Sequence, residues 1–277
     1  MPVYLANFGR SGRIMTKTIN GVNTSYSLNG SGNRKLLLLH GWGCDGTLMK
    51  PVAERMQDQF QILIPDFPGH GKSGRPPEPW GVPEYAEFLR QLLTETGFYP
   101  CSVIAHSFGC RIAAWLEAET PVFFDKIIFT GAAGIRKKPS AKAKKRSERY
   151  KKLKNACDKL KKIPMMGQAA EKLEDKLRRK YGSADYNALD DEMRKTFVKV
   201  ISLDLSDLYE RFTSSTLLIW GDRDSETPLW MGQEMEKRIP DAGLVVLEGG
   251  THFAYLEQLD RFAVIVRHFL KGDDESC

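Results

Sequence analysis

The chain lacks any apolar run approaching the roughly 20 residues that cross a bilayer as a helix, so its pattern offers no transmembrane segment. Its first residues, Met1-Pro2-Val3-Tyr4-Leu5, carry no basic run followed by an apolar stretch, and no secretory signal is expected. Cysteine is sparse and unpatterned. Cys44, Cys101, Cys110, Cys157 and Cys277 are five, an odd number, and share no disulfide-like or metal-ligand spacing. They read as free thiols in a reducing compartment, which makes a cytoplasmic location the expectation. Cys277 has no residues after it, so it is not read as a prenylation cysteine. There is no internal repeat and no long Gly/Ser/Pro linker, which excludes a solenoid or a string of tethered domains.

What is present is ordinary globular composition, 42% hydrophobic and 27% charged over 277 residues, enough for one large core carrying an insertion. The net charge of +6 is unevenly placed. Between Arg136 and Lys162 stand 14 Lys/Arg against two acids, Glu148 and Asp158, so this segment holds +12 and the remainder −6. The body is acidic and wears one basic segment.

Short β-like runs alternate with helix-length segments. Arg13 to Ile19 and Val22 to Leu28 flank Asn20-Gly21, a strong hairpin signal. Lys35 to Leu39, Phe60 to Ile64, Ser102 to Ala105, Lys126 to Thr130, Thr216 to Trp220 and Gly243 to Leu247 are near-continuous apolar runs of the kind buried on both faces. Strand, crossover and strand repeated in this way predict an α/β fold with a mostly parallel sheet flanked by helices. In such sheets functional groups gather where strands end. Residues 136–210 break the alternation, being polar, helical in pattern and without strands. They read as a helical, basic cap inserted between core segments 1–135 and 211–277.

Four strand ends carry chemistry. Ala105-His106-Ser107-Phe108-Gly109 leaves one strand and opens a helical run. A serine on so tight a turn holds its hydroxyl out at the sheet edge and needs small residues two before and two after it. Ala105 fills the first of these places, where glycine is usual, and Gly109 the second. His40-Gly41-Trp42-Gly43 ends an earlier strand and can supply a backbone N–H to an oxyanion, that of Trp42 being best placed, beside the N–H of Phe108. At Gly221-Asp222-Arg223-Asp224-Ser225-Glu226-Thr227-Pro228 three acids compete to orient a base. Spacing selects Asp224, three after the glycine and four before the proline; Asp222 reads as a turn cap and Glu226 as facing water. Gly249-Gly250-Thr251-His252 brings an imidazole over the sheet edge. Of the other histidines, His40 and His70 sit in Gly-rich turns and read as structural, His106 should point away from Ser107, and His268 reads as a surface residue. Cys44 has no such turn around it and reads as packed. Gly71-Lys72-Ser73 imitates the end of a phosphate-binding loop, but Asp66 stands where its first glycine is required, which excludes nucleotide binding.

With Ser107, Asp224 and His252 in that chain order, each at a strand end, the sequence resembles the α/β-hydrolase superfamily over everything except the cap. Asp66 to Ser73 also resembles that family's loop after its fourth strand. Serine at 107 separates the chain from the haloalkane dehalogenases and epoxide hydrolases, which carry aspartate there. His40-Gly41-Trp42 is closer to serine carboxylesterases and cofactor-free perhydrolases than to the Ser-Gly-Pro-Gly loop of carbon–carbon hydrolases. It bears a distant likeness to pimeloyl-acyl-carrier-protein methyl ester esterases, although the turn around Ser107 differs from theirs. The resemblance implies hydrolysis of a carboxylic ester or thioester through an acyl-enzyme, with Ser107 as nucleophile, His252 as base, Asp224 as orienting acid and no metal or organic cofactor. A carbon–carbon hydrolase or lyase on the same residues, and a ligand sensor with little turnover, stay open beside it.

In the basic segment, Tyr150, Leu153, Cys157, Leu160 and Ile163 form an apolar stripe, expected to pack on the core and roof a substrate pocket. Its Lys/Arg face reads either as solvated or as a surface that recruits an anionic carrier, an acyl carrier protein or coenzyme A. No nucleic-acid recognition module accompanies it.

Overall fold

In a computed structural model, residues 12–136, 141–161, 163, 166–182 and 184–271 are described. Met1–Leu5, Lys137, Lys138, Lys162 and Cys277 lie outside them. The eight expected strands form: β1 (Arg13–Ile19), β2 (Val22–Asn29), β3 (Arg34–Leu39), β4 (Phe60–Pro65), β5 (Ser102–His106), β6 (Ile127–Thr130), β7 (Thr216–Gly221) and β8 (Ala242–Leu247). They make one sheet in the order β1-β2-β4-β3-β5-β6-β7-β8. β1 and β2 pair antiparallel, as do β2 and β4, and every later pairing is parallel. Asn20 and Gly21 close the first hairpin with φ of 52° and 76°, the left-handed pair that a tight two-residue turn requires.

The apolar runs are buried on both faces because helices cover both. The helices among the described residues are α1 (Lys50–Met56), α2 (Val82–Glu95), α3 (Phe108–Glu119), α4 (Ala141–Lys161), α5 (Gly167–Tyr181), α6 (Ala184–Ala188), α7 (Asp191–Ser202), α8 (Trp230–Arg238), α9 (Ala254–Glu257) and α10 (Leu259–Lys271). Leu37, Leu39, Val103, Ala105, Phe129, Leu218 and Trp220 point to one side, against α2, α3 and α8. Their neighbours Leu36, Leu38, Ile104, Ile128, Leu217 and Ile219 point to the other, against α1, α9 and α10. This period-two alternation is the pleat of the strands made visible.

The chain divides into two compact units, Met1–Ile135 with Lys199–Cys277, and Arg136–Val198. Sequence pattern alone extends the helical segment to residue 210. The compact unit stops at Val198, because Val200, Leu205 and Tyr209 are buried in the core of the sheet-bearing unit. Within the smaller unit α4 and α5 pair antiparallel. Lys161 bridges to Glu174, the Arg146 guanidinium lies 5.4 Å from the Tyr181 ring centroid, and Tyr150 packs on Tyr181 at 5.5 Å. Of the α4 stripe, Cys157 is buried, Tyr150 and Leu160 are half-buried, and Leu153 and Ile163 are exposed.

One fully buried acid braces the sheet-bearing unit. Glu117 of α3 accepts the backbone N–H groups of Thr213 (3.3 Å) and Ser214 (3.0 Å) through Oε1, and that of Phe124 (3.2 Å) through Oε2. It thereby ties the approaches to β6 and β7 to the helix that begins after Ser107. Glu117→Ala orphans these donors, of which Ser214 and Phe124 are buried, and should destabilise the protein by about 3 kcal/mol in urea unfolding, against about 0.5 kcal/mol for an exposed control such as Glu87→Ala. Equal midpoints for the two variants would refute the bracing role.

Candidate active site

Between the last residue of β5 and the first of α3 stands Ser107, with φ of 50° and ψ of −105°. A non-glycine residue in this region costs of order 1–3 kcal/mol and persists only where its surroundings hold it. Here the Ser107 N–H donates to Thr130 O (3.2 Å), and its carbonyl accepts from Cys110 N (3.2 Å) and Ala133 N (3.3 Å). A Cβ on Gly109 would stand 2.8 Å from Leu39 Cβ, so α3 leaves the turn flush against β3 only because that position is glycine. Ala105, the departure from glycine at the earlier position, is wholly buried on β5. The Ser107 side chain is half-buried, and its Oγ makes no hydrogen bond among the described residues.

Asp224 and His252 meet at the ends of β7 and β8. His252 Nδ1 lies 2.8 Å from Asp224 Oδ2, and since a carboxylate only accepts, Nδ1 carries the proton. Asp224 is buried and fully engaged. Its Oδ1 accepts the N–H groups of Glu226 and Thr227, both at 2.9 Å, and its Oδ2 also accepts the Thr227 hydroxyl at 2.8 Å. Burial alone would raise its pKa. The hydrogen bond and charge of His252, with the Thr227 donors, outweigh burial and hold the carboxyl below its ordinary range. The two rival acids go elsewhere: Asp222 is exposed and accepts Gly249 N–H at 2.6 Å, and Glu226 is exposed.

Gly131 joins this pair to the serine turn. It comes directly after Thr130, the residue that accepts the Ser107 N–H, and has φ of 52°. A Cβ there would stand 3.1 Å from His252 Nδ1 and 3.2 Å from Asp224 Oδ2. Ser107 and the Asp224–His252 pair therefore border one short backbone turn. Neither Gly131 nor Thr227 stands out in the sequence. A glycine directly after a buried strand, and a hydroxyl three residues beyond the chosen acid, are the signals available there.

The loop after β3 completes the edge. A Cβ on Gly41 would meet His106 Nδ1 at 2.9 Å and Ser107 Cβ at 3.3 Å, so this loop lies directly against the serine. Trp42 and Phe108 pack edge-to-face at 5.2 Å. Phe108 opens α3, so its N–H has no acceptor within the helix and sits at the positive end of the helix dipole. His40 and His70 make structural hydrogen bonds, as expected. His40 Nδ1 donates to Gly41 O (2.8 Å) while its Nε2 accepts Phe67 N–H (3.0 Å), and His70 Nδ1 lies 3.2 Å from Pro68 O. His268 is exposed and Cys44 half-buried. In the loop resembling a phosphate site, the Asp66 carboxylate itself accepts Gly46 N–H (2.8 Å) and Lys72 N–H (2.9 Å), filling the loop with negative charge.

The model of the alpha/beta hydrolase family matches residues 36–265. Sheet order, strand-end site and family match agree, and the chain belongs to the alpha/beta hydrolase family. Among relatives, an uncharacterised protein of Mycobacterium tuberculosis is 30% identical over 121 residues, 44% of this chain and 35% of that one. The match thus spans about a third of the mycobacterial protein's length. A pimeloyl-[acyl-carrier protein] methyl ester esterase of Aliivibrio salmonicida is 23% identical over 249 residues, covering 87% of this chain and 93% of its own. Among solved structures, an esterase from Exiguobacterium antarcticum superposes with a TM-score of 0.71 at 19% identity, over 95% of this chain and 100% of that one. No helix among the described residues is long and apolar enough to cross a membrane.

Three buried imidazoles make the edge acid-sensitive. Burial, before any other cause, lowers His40 and His70 to about 4 and His106 to about 3, from 6.5. Between those values the unfolded chain binds more protons than the folded one. Stability is therefore full above pH 6.5 and lost as pH falls, by roughly 3 kcal/mol each for His40 and His70 toward pH 4 and roughly 5 kcal/mol for His106 toward pH 3. Denaturant midpoints should fall steadily from pH 7 to pH 4, and less steeply in His70→Phe. Midpoints flat across that range would show that these histidines are not buried neutral.

Proposed function

We infer that this protein is a serine hydrolase that cleaves a carboxylic ester or thioester through an acyl-enzyme. The observation that carries the reading is the Asp224–His252 pair lying across Gly131 from a serine held at φ 50° on a strand-to-helix turn. Ser107 Oγ attacks the substrate carbonyl while His252 Nε2 takes its proton, and Asp224 stabilises the imidazolium that results. The backbone N–H groups of Trp42 and Phe108 receive the oxyanion of the tetrahedral intermediate. Collapse expels the alcohol or thiol, protonated by His252. Water then attacks the acyl-enzyme with His252 again as base, releasing the acid and restoring the Ser107 hydroxyl. No metal or organic cofactor enters this scheme.

The relative from Aliivibrio salmonicida bears the name of an acyl-carrier-linked ester hydrolase, and the basic helix suits a substrate delivered by an anionic carrier. On α4, Lys145, Arg149, Lys151, Lys152, Lys154 and Lys159 are all exposed and form no ion pair among the described residues. Such a surface raises the encounter rate with an acidic partner and loses that advantage as salt screens it.

Incubation with an organophosphonate probe followed by mass spectrometry should place one adduct on Ser107 of the wild type and none on Ser107→Ala. An unlabelled wild type, or label surviving in Ser107→Ala, removes the reading. Asp224→Asn should lower kcat by roughly 10³- to 10⁴-fold, since the base loses its tautomer and counter-charge, whereas Asp222→Asn should stay within about threefold. For the carrier, kcat/KM on an acyl-carrier-linked ester should fall steeply between low and high salt, while a small neutral ester stays level. Parallel salt responses leave α4 a merely solvated face.

A further inference from the structure

His106 is an expensive residue at its position. It is 1% exposed, and burial pushes its imidazole down to about 3, so it is neutral throughout the pH range of ordinary esterolysis. Its Nε2 lies 3.0 Å from the main-chain carbonyl of His252. A carbonyl only accepts, so Nε2 carries the proton and Nδ1 is a bare acceptor. That Nδ1 is buried with no partner among the described residues, a loss that an apolar ring of similar size would avoid.

The ring also occupies a junction. One edge packs on the rings of His252, Phe253 and Tyr255, with centroids 4.7, 5.2 and 4.9 Å away. The other edge lies against Gly41, where an added Cβ would stand 2.9 Å from Nδ1 and 3.3 Å from Cε1. Its own backbone is the last residue of β5, next to Ser107. Through this one side chain the serine turn touches both the loop that carries Trp42 and the loop of His252. Among the described residues its N–H makes the one hydrogen bond that reaches the His252 carbonyl. His252 is thus held at two points: by Asp224 and Thr227 at Nδ1, and by the residue before the serine at its main chain.

We propose that His106 is a positioning residue that tethers the main chain of His252 to the serine turn and so sets the distance between Ser107 Oγ and the base. It touches no substrate and moves no proton. It acts through His252, and it rests on the reading of Ser107 and His252 as nucleophile and base. In the free protein Ser107 Oγ has no hydrogen bond among the described residues, so the separation of the two groups is left to the backbone, and this tether is what holds it. Burial of a neutral, donating imidazole is the physical requirement, and a glutamine whose amide nitrogen takes the place of Nε2 meets it in part.

The test compares His106→Leu with His106→Gln on p-nitrophenyl acetate, with thermal melts to establish that both fold. The leucine variant fills the space without a donor, and kcat should fall about 10- to 100-fold with KM within about twofold, the effect expected of a small misplacement of the base. The glutamine variant should recover most of kcat, and the rate of phosphonate labelling at Ser107 should keep the same order. Equal losses in the two variants, or a loss expressed in KM, would overturn the proposal in favour of simple packing. Should the wild type hydrolyse no ester and take no label, the hydrolase reading falls separately. The tether is then judged by ¹⁵N-detected imidazole spectra: a slowly exchanging Nε2-bound proton on His106 supports it, and an Nδ1-bound proton refutes it.

Discussion

The geometry at the carboxyl edge of this sheet descends from a close approach of backbones. α3 must start within van der Waals contact of β3, which is possible because Gly109 presents no Cβ to Leu39. The chain can make that start only by turning at Ser107 through a left-handed conformation that an L-residue resists. The resulting strain is held by three backbone hydrogen bonds, to Thr130, Cys110 and Ala133. They fasten the serine to the end of the neighbouring strand. Gly131, the first residue beyond that strand, is where the acid and the imidazole come to rest. A constraint on packing thus becomes a constraint on chemistry.

Around that turn the polar groups are arranged so that one keeps its charge and others never acquire one. Asp224 is buried, yet four donors converge on its two oxygens, and their sum overcomes the desolvation that would otherwise neutralise it. His40, His70 and His106 are buried with hydrogen bonds suited to the neutral ring, so desolvation wins and they stay uncharged. The fixed negative charge beside His252 is what an imidazolium formed during acyl transfer would require. Of the neutral rings, His106 packs directly on His252, with centroids 4.7 Å apart.

The two compact units divide the charge between them. The sheet-bearing unit pairs its surface charges in bridges such as Arg267 with Asp58 and Arg55 with Asp260. On α4 most cations have no such partner among the described residues. Surface pairs of this kind contribute little to stability, so the contrast bears on association rather than folding. It is also why the bulk pI of about 9 describes one helix better than it describes the protein.

Much of the fold is legible in one dimension because its causes are local. Each strand is a short apolar run bounded by turn residues, and a strand buried on both faces needs nothing more to declare itself. The hairpin at Asn20-Gly21, the serine on its strand-to-helix turn and the family likeness can be read from neighbouring residues alone. The preference for Asp224 over Asp222 and Glu226 rests on spacing. The tertiary structure supplies its physical content, burial with four donors against two exposed carboxylates. Thr227, Gly131 and the tie between His106 and His252 cannot be read this way. The His106–His252 hydrogen bond joins residues 146 apart in sequence, and such a contact exists only once parallel pairing has brought the ends of β5, β6, β7 and β8 side by side. The return of the helical segment to the core at Lys199 is equally invisible, because one helix, α7, continues across that boundary without a break. Periodicity decides which segments are strands and helices. Only the register of the assembled sheet decides which strand ends meet.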